Sequence, residues 1–198
     1  LPCLQSLAEC DTCIIKPELC HYDEGTCRDN DFGDSHCNIS HTIYLSLTSS
    51  AKIGITRSYN EMVRWVDQGA VKALKIAEVD RRKTAGLIEV EIAKSIKDKT
   101  NWRNMLKNEY EDVDLYDLRD ELFEQYEDII ADVAVEDAKE QKFEYPVLEY
   151  PTKVKSFNFD KNPLVEGTLQ GIKGQYLILD EGVINLRKFA GYKVSFSV

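Results

Sequence analysis

The sequence predicts an α+β fold assembled from four consecutive segments, and three observations predict it. All six cysteines fall within the first 37 residues. From residue 41 onward, short β-branched and aromatic runs alternate with stretches of helical apolar spacing. After Pro146 and Pro151, short alternating runs punctuated by glycine replace the helical pattern. The expected units are a cysteine-rich zinc-binding module at 1–40, a core with a small three-stranded sheet and helices at 41–109, a long acidic amphipathic helix within 110–142, and a small β-barrel or β-sheet module at 143–198.

A chain of 198 residues can bury a sizeable core, as one compact unit or as two or three small ones. No run approaches eighteen apolar residues, so no membrane span is expected. The opening Leu1–Pro2–Cys3 has neither a Met nor the pattern of a signal peptide, and reads as the interior of a longer reading frame or a trimmed start. The net charge of −10 speaks against nucleic acid until its distribution is followed. Residues 1–50 carry −6 and residues 108–150 carry −13, whereas residues 51–107 carry +6 (13 basic against 7 acidic) and residues 151–198 carry +3. Phosphate neutralisation requires such a basic segment, although a solvated helix face gives a similar excess.

In the first segment, Cys10 and Cys13 form a C-x-x-C pair, which lets two thiolates approach one metal from a tight knuckle. Cys20, Cys27 and Cys37 are candidates for the remaining ligands, with His21, His36 and His41 among or just beyond them. Cys3 reads as half of a second such pair. The competing reading is a disulfide-rich secreted module. Structural zinc is preferred because the rest of the chain has no cysteine and no sign of export.

The core segment begins at Thr42–Ile43–Tyr44, turns through Thr48, Ser49 and Ser50, and returns as Lys52–Ile53–Gly54–Ile55–Thr56, a hairpin with a loop longer than two residues. A helix with Met62, Trp65 and Val66 on one face and Arg64 beside it follows. Val71–Val79 reads as a third strand and Thr84–Ile96 as a second helix, with Glu89 inside its apolar pattern; Trp102 is expected to close over the end of that helix.

This order resembles the GIY-YIG nuclease superfamily over about a third of the chain. Ile43–Tyr44 resembles the first signature, with Thr42 in place of its glycine, and Ile53–Gly54 the second, with Lys52 in place of its tyrosine. Arg64 matches the helix arginine and Glu89 the metal-binding glutamate. The resemblance implies that Tyr44 activates water, that Arg64 and, more weakly, Arg57 hold phosphate oxygens, and that Glu89 carries Mg2+ or Mn2+. Lys52 supplies positive charge or binds phosphate. A magnesium ion needs few protein ligands, and a planar guanidinium suits phosphate. A tyrosine near its usual pKa of about 10 must be shifted to act as base near neutral pH. Against these roles, Tyr44 at a strand start packs in a core, Arg64 pairs with Glu61 or Asp67 on its own helix, and Glu89 competes with Glu91 for the cleft. Asn101 and Asn104 are candidates for the superfamily's late asparagine.

Residues 110–138 form the longest helical pattern, with Leu115, Leu118, Leu122, Tyr126, Ile129 and Val133 spaced by three and four and acidic residues elsewhere. It reads as an ordinary core stripe with a solvated face, or as an acidic shield over the basic segment. Val154–Phe159, Leu164–Leu169, Gln175–Leu179 and Gly191–Phe196 read as strands of an OB- or SH3-like module, with basic and aromatic residues near its loops. The phrases at 10–21, 25–28, 65–70 and 99–103 also resemble an uncharacterised bacterial family with a zinc-ribbon-like start, which implies a cytoplasmic protein and no established activity. Function therefore reads as a metal-dependent nuclease acting on DNA or RNA. The alternatives are a non-catalytic zinc-containing nucleic-acid or ribonucleoprotein binding factor and a protein-binding adaptor favoured by the acidity.

Overall fold

The computed structural model describes residues 6–96 and 100–197. Among the described residues, 3-10 turns at Ala8–Cys10, Thr12–Ile14, Pro17–Leu19 and Tyr22–Glu24 and the short helix α1 (Asn30–His36) build the cysteine segment. Asp29 caps α1 by accepting from Phe32 N at 3.0 Å. Cys3 lies outside the described residues.

The expected hairpin is present as β1 (His41–Leu47) and β2 (Ala51–Arg57). Helix α2 (Glu61–Asp67), strand β3 (Lys72–Val79) and helix α3 (Arg82–Ile92) follow. The sheet is not three-stranded: β4 (Gln141–Lys142) joins it in the order β2-β1-β3-β4, antiparallel throughout. Alternation along β1 divides its residues between two layers. Ile43, Leu45 and Leu47 pack with Ile88 and Ile92 of α3 and with Leu115, Leu122 and Ile130, while Tyr44 packs on the other face with Trp65 and Ala73. Full burial of each such aliphatic side chain contributes about 1.5–3 kcal/mol.

Three helical expectations are corrected. On α2, Trp65 alone of the named apolar stripe is buried; Met62 and Val66 face solvent. Helix α3 begins two residues earlier than expected and ends at Ile92 rather than Ile96. The pattern over 110–138 is not one helix. After the short helix α4 (Trp102–Leu106) come α5 (Leu115–Gln125), started by an Asp114 cap, then α6 (Glu127–Ile130) and a 3-10 turn at Ala131–Val133. Tyr126 leaves helical geometry (φ −121°), and its hydroxyl meets Ser95 Oγ at 2.5 Å, so the break in the helix coincides with a tertiary contact.

At the C-terminal end, β5 (Leu169–Lys173), β6 (Tyr176–Leu179) and β7 (Gly182–Asn185) form an open antiparallel meander rather than a barrel. Only Gln175–Leu179 matches an expected strand closely. Val154–Phe159 touches β7 through a single bridge, Ser156 to Val183, and Leu164–Leu169 meets β5 at its last residue alone. Gly191–Phe196 is not a strand: its alternating Val194 and Phe196 stand exposed, so no buried face fixes a register. Trp102 does not close over α3 but stacks on Tyr176, centroids 5.7 Å apart, and joins the layer between α4 and this meander. Among the described residues no helix is long and apolar enough to cross a membrane.

Candidate functional site

Tyr44 leaves β1 on the face away from α3 and is fully buried, with Trp65 edge-on at 5.7 Å. Its ladder partner on the edge strand β2 is Gly54. A Cβ on Gly54 would lie 2.8 Å from the phenolic oxygen and 2.9 Å from Cζ, so the absent side chain is what lets the ring lie across β2. The hydroxyl meets Gln68, the residue that ends α2. With its amide nitrogen directed at the Tyr44 oxygen (3.1 Å), the oxygen of Gln68 accepts from Arg64 Nε and Nη2, both at 3.1 Å. Arg64 and Gln68 stand four apart, one above the other on the helix face. The Arg64 guanidinium and the Gln68 amide favour the phenolate, but burial outweighs both and holds the Tyr44 phenol above its ordinary value.

Glu89 approaches from α3. Its carboxyl is partly buried, and burial raises its pKa against the opposing pull of Arg64 and Arg82, with Glu18 adding to the rise. Among the described residues the carboxylate forms neither a hydrogen bond nor an ion pair within 4 Å. Glu91, its sequence competitor, is instead engaged by Lys94 at 2.5 Å. The charges acting on Glu89 come from α2, α3 and the cysteine segment, not from the acidic stretch 110–138.

The cysteine segment reaches this site because of Gly86. A Cβ there would fall 2.6 Å from Pro17 Cβ and 2.7 Å from the backbone nitrogen of Glu18. Gly86 precedes Glu89 by three residues, hence on the same helix face. Arg82 fastens the contact: Nη2 donates to Ile14 O at 2.5 Å and its backbone nitrogen to Cys37 O at 2.8 Å. Arg81 adds an ion pair to Asp23 at 2.8 Å.

The structure thus brings Tyr44, Arg64 and Glu89 to one region. Arg57 stands elsewhere, on the opposite face of β2 from Gly54, donating to Tyr59 Oη at 3.2 Å. Lys52 lies on the Tyr44 face, two residues from Gly54 and across from Ser46. Arg64 makes no ion pair with Glu61 or Asp67; Glu61 pairs with Lys75 at 3.4 Å. Asn101 caps α4 by accepting from Arg103 N at 2.9 Å. Sequence reasoning missed Gln68, Arg82 and Glu18. The four-residue step from Arg64 could have pointed to Gln68, whereas Glu18 and Arg82 arrive only through tertiary packing.

The described cysteines are all free. Cys13, Cys20, Cys27 and Cys37 line one cavity, together with Asp11 and His21. Cys10 is exposed and stands outside it. Burial pushes the Cys13 thiol up to about 11, and Asp11, Cys20, Cys37 and Cys27 add to the rise. Asp11, Cys13 and His21 also place one ligating atom each within 4.8 Å of one another. The Asp11 carboxylate is already taken by Arg28 Nε at 2.6 Å, and His21 Nδ1 pairs with Thr26 Oγ1 at 2.8 Å.

Comparison with known proteins places the chain in a family: it belongs to DUF2797, a protein family of unknown function, whose model matches residues 1–194. Neither the curated proteins nor the solved structures gave a significant match.

Proposed function

We propose that this member of a family of unknown function carries a GIY-YIG-like nuclease site that engages the phosphodiester backbone of DNA or RNA. The observation that carries the reading is that Arg64, linked through Gln68 to Tyr44, lies close enough to Glu89 for the charges of the two to act on each other and on Tyr44. Arg64 commits Nε and Nη2 to Gln68, which leaves the Nη1 edge of a planar five-donor group for phosphate oxygens. Glu89 fits a divalent ion: a partly buried carboxylate that, among the described residues, makes no hydrogen bond or ion pair, for a metal that takes few protein ligands. A magnesium or manganese ion held there would supply charge neutralisation at the phosphate and the leaving oxygen. Tyr44, with its phenol buried and raised, serves as a positioning residue that fixes Gln68 and thereby Arg64, rather than as the water-activating group.

That burial also favours a second reading, non-catalytic nucleic-acid binding by the same surface. Next to Arg64, α2 exposes Met62, Val63 and Val66, and Tyr59 just before it is 72% exposed. These side chains suit stacking against bases or contact with a protein of a ribonucleoprotein.

Both readings are tested by measuring affinity for labelled DNA and RNA across a salt series. Binding should weaken with salt, and Arg64→Ala should reduce the slope by about one. Salt-insensitive binding that Arg64→Ala leaves unchanged would contradict both and favour the protein-binding adaptor.

A further inference from the structure

We infer that Cys13, Cys20, Cys27 and Cys37 form a four-thiolate zinc centre from which Cys10 is excluded, and that this centre staples Pro17–Glu18 onto Gly86 of α3. The inference is independent of the nuclease reading.

Spacing alone nominates Cys10 and Cys13 as the chelating pair, because C-x-x-C is the usual knuckle. The structure divides that pair. Asp11 turns the chain between them, accepting from Cys13 N at 3.4 Å, and Cys13 enters the cavity while Cys10 remains outside. Cys20 and Cys37 are buried in the cavity wall, and Cys27 completes it beside Gly33. Cys13, Cys20, Cys27 and Cys37 line one small cavity; the ligating atoms that already lie within 4.8 Å of one another there are those of Asp11, Cys13 and His21, and a dication accepting four thiolates would draw the other three sulfurs in. Zinc is the divalent ion suited to four sulfurs in tetrahedral arrangement. Holding it requires the thiols to draw in toward sulfur–metal distances of about 2.3 Å.

Asp11 and His21 take outer positions. Arg28 and the Cys13 amide occupy the Asp11 carboxylate, and His21 directs Nε2 at that same carboxylate (3.4 Å) while Thr26 meets its Nδ1, so both take part in holding the loop. Second-layer partners of this kind orient metal ligands in known sites.

The consequence reaches α3. Cys20 directly follows the Pro17–Leu19 turn that covers Gly86, and Cys37 lends its carbonyl to Arg82. Fixing both cysteines on one ion therefore fixes the two ends of the surface that packs against α3.

The test uses the chain purified with zinc and without reductant-labile modification. In the native protein a thiol reagent should label Cys10 rapidly and spare the four cavity cysteines, and a chelator should expose them. Cys13→Ser and Cys20→Ser should each lose about one zinc per chain relative to wild type, whereas Cys10→Ser and His21→Ala should keep it. Labelling of the unmutated protein keeps the test decisive where a serine variant fails to fold. The proposal is overturned if Cys10 is protected with the others, if the four label at the rate of Cys10 with zinc bound, or if His21→Ala releases zinc as Cys20→Ser does.

Discussion

Gly54 stands across the β1–β2 ladder from Tyr44, and the space of one missing methyl group holds the phenolic oxygen in place. The relationship explains why a glycine sits within an edge strand where it otherwise weakens pairing. It also ties the hairpin to the candidate site, since the same oxygen meets Gln68 and, through it, Arg64.

Gly54→Ala should therefore be destabilising beyond its small size. The added methyl would meet the ring at 2.8–2.9 Å in a fully buried layer, an overpacking that costs about 1–3 kcal/mol. Chemical denaturation measures it, and Tyr44→Leu combined with Gly54→Ala should recover part of the loss. A neutral Gly54→Ala would mean that the ring does not rest there.

Gln68→Leu removes both hydrogen bonds to Arg64 and leaves the buried Tyr44 hydroxyl without its amide partner. The expected cost is about 1–3 kcal/mol in stability, with nucleic-acid affinity reduced in the direction of Arg64→Ala but less far. A double-mutant cycle with Tyr44→Phe should show coupling, because the two side chains share one hydrogen bond. Additive effects would separate Tyr44 from the Arg64 arrangement.

Lys173 gives a pH signature. It is fully buried on β5, donates to Asn108 Oδ1 at 2.7 Å and lies against the rings of Tyr145 and Tyr150. Burial lowers its pKa from 10.5 to about 8. Between those values the unfolded chain binds the extra proton, so the contribution of Lys173 to stability rises with pH through that window, by roughly 3 kcal/mol. Below about pH 8 the buried charge is fully present in the folded state and its cost is constant. Lys173→Met should remove this rise when unfolding is followed from pH 7 to 11; an unchanged rise would assign it to other groups.

The sequence made the central hairpin legible because β-branched runs and a polar turn coincide with a sheet whose two faces are both buried near β1. Arg64 and Glu89 were nominated from motif positions, and both lie on short regular helices where their charges act on Tyr44. What failed did so for physical reasons. Tyr126 looked like one more apolar step of a long helix, but its backbone is not helical and its hydroxyl is turned to Ser95. Val194 and Phe196 alternated like a strand but face solvent. Cys10 and Cys13 are indistinguishable by spacing, and only the turn at Asp11 separates them. Glu18 lies 71 residues before Glu89 and meets its field only because Gly86 lacks a side chain.

The measurement that tests the central claim most directly is cleavage of labelled DNA and RNA with magnesium or manganese by wild type and by Glu89→Gln, with binding followed in parallel. The account predicts cutting that requires the metal and is lost in Glu89→Gln, while binding through Arg64 persists. Metal-dependent cutting that survives in Glu89→Gln, or no cutting by wild type alongside equal binding by both, would contradict it.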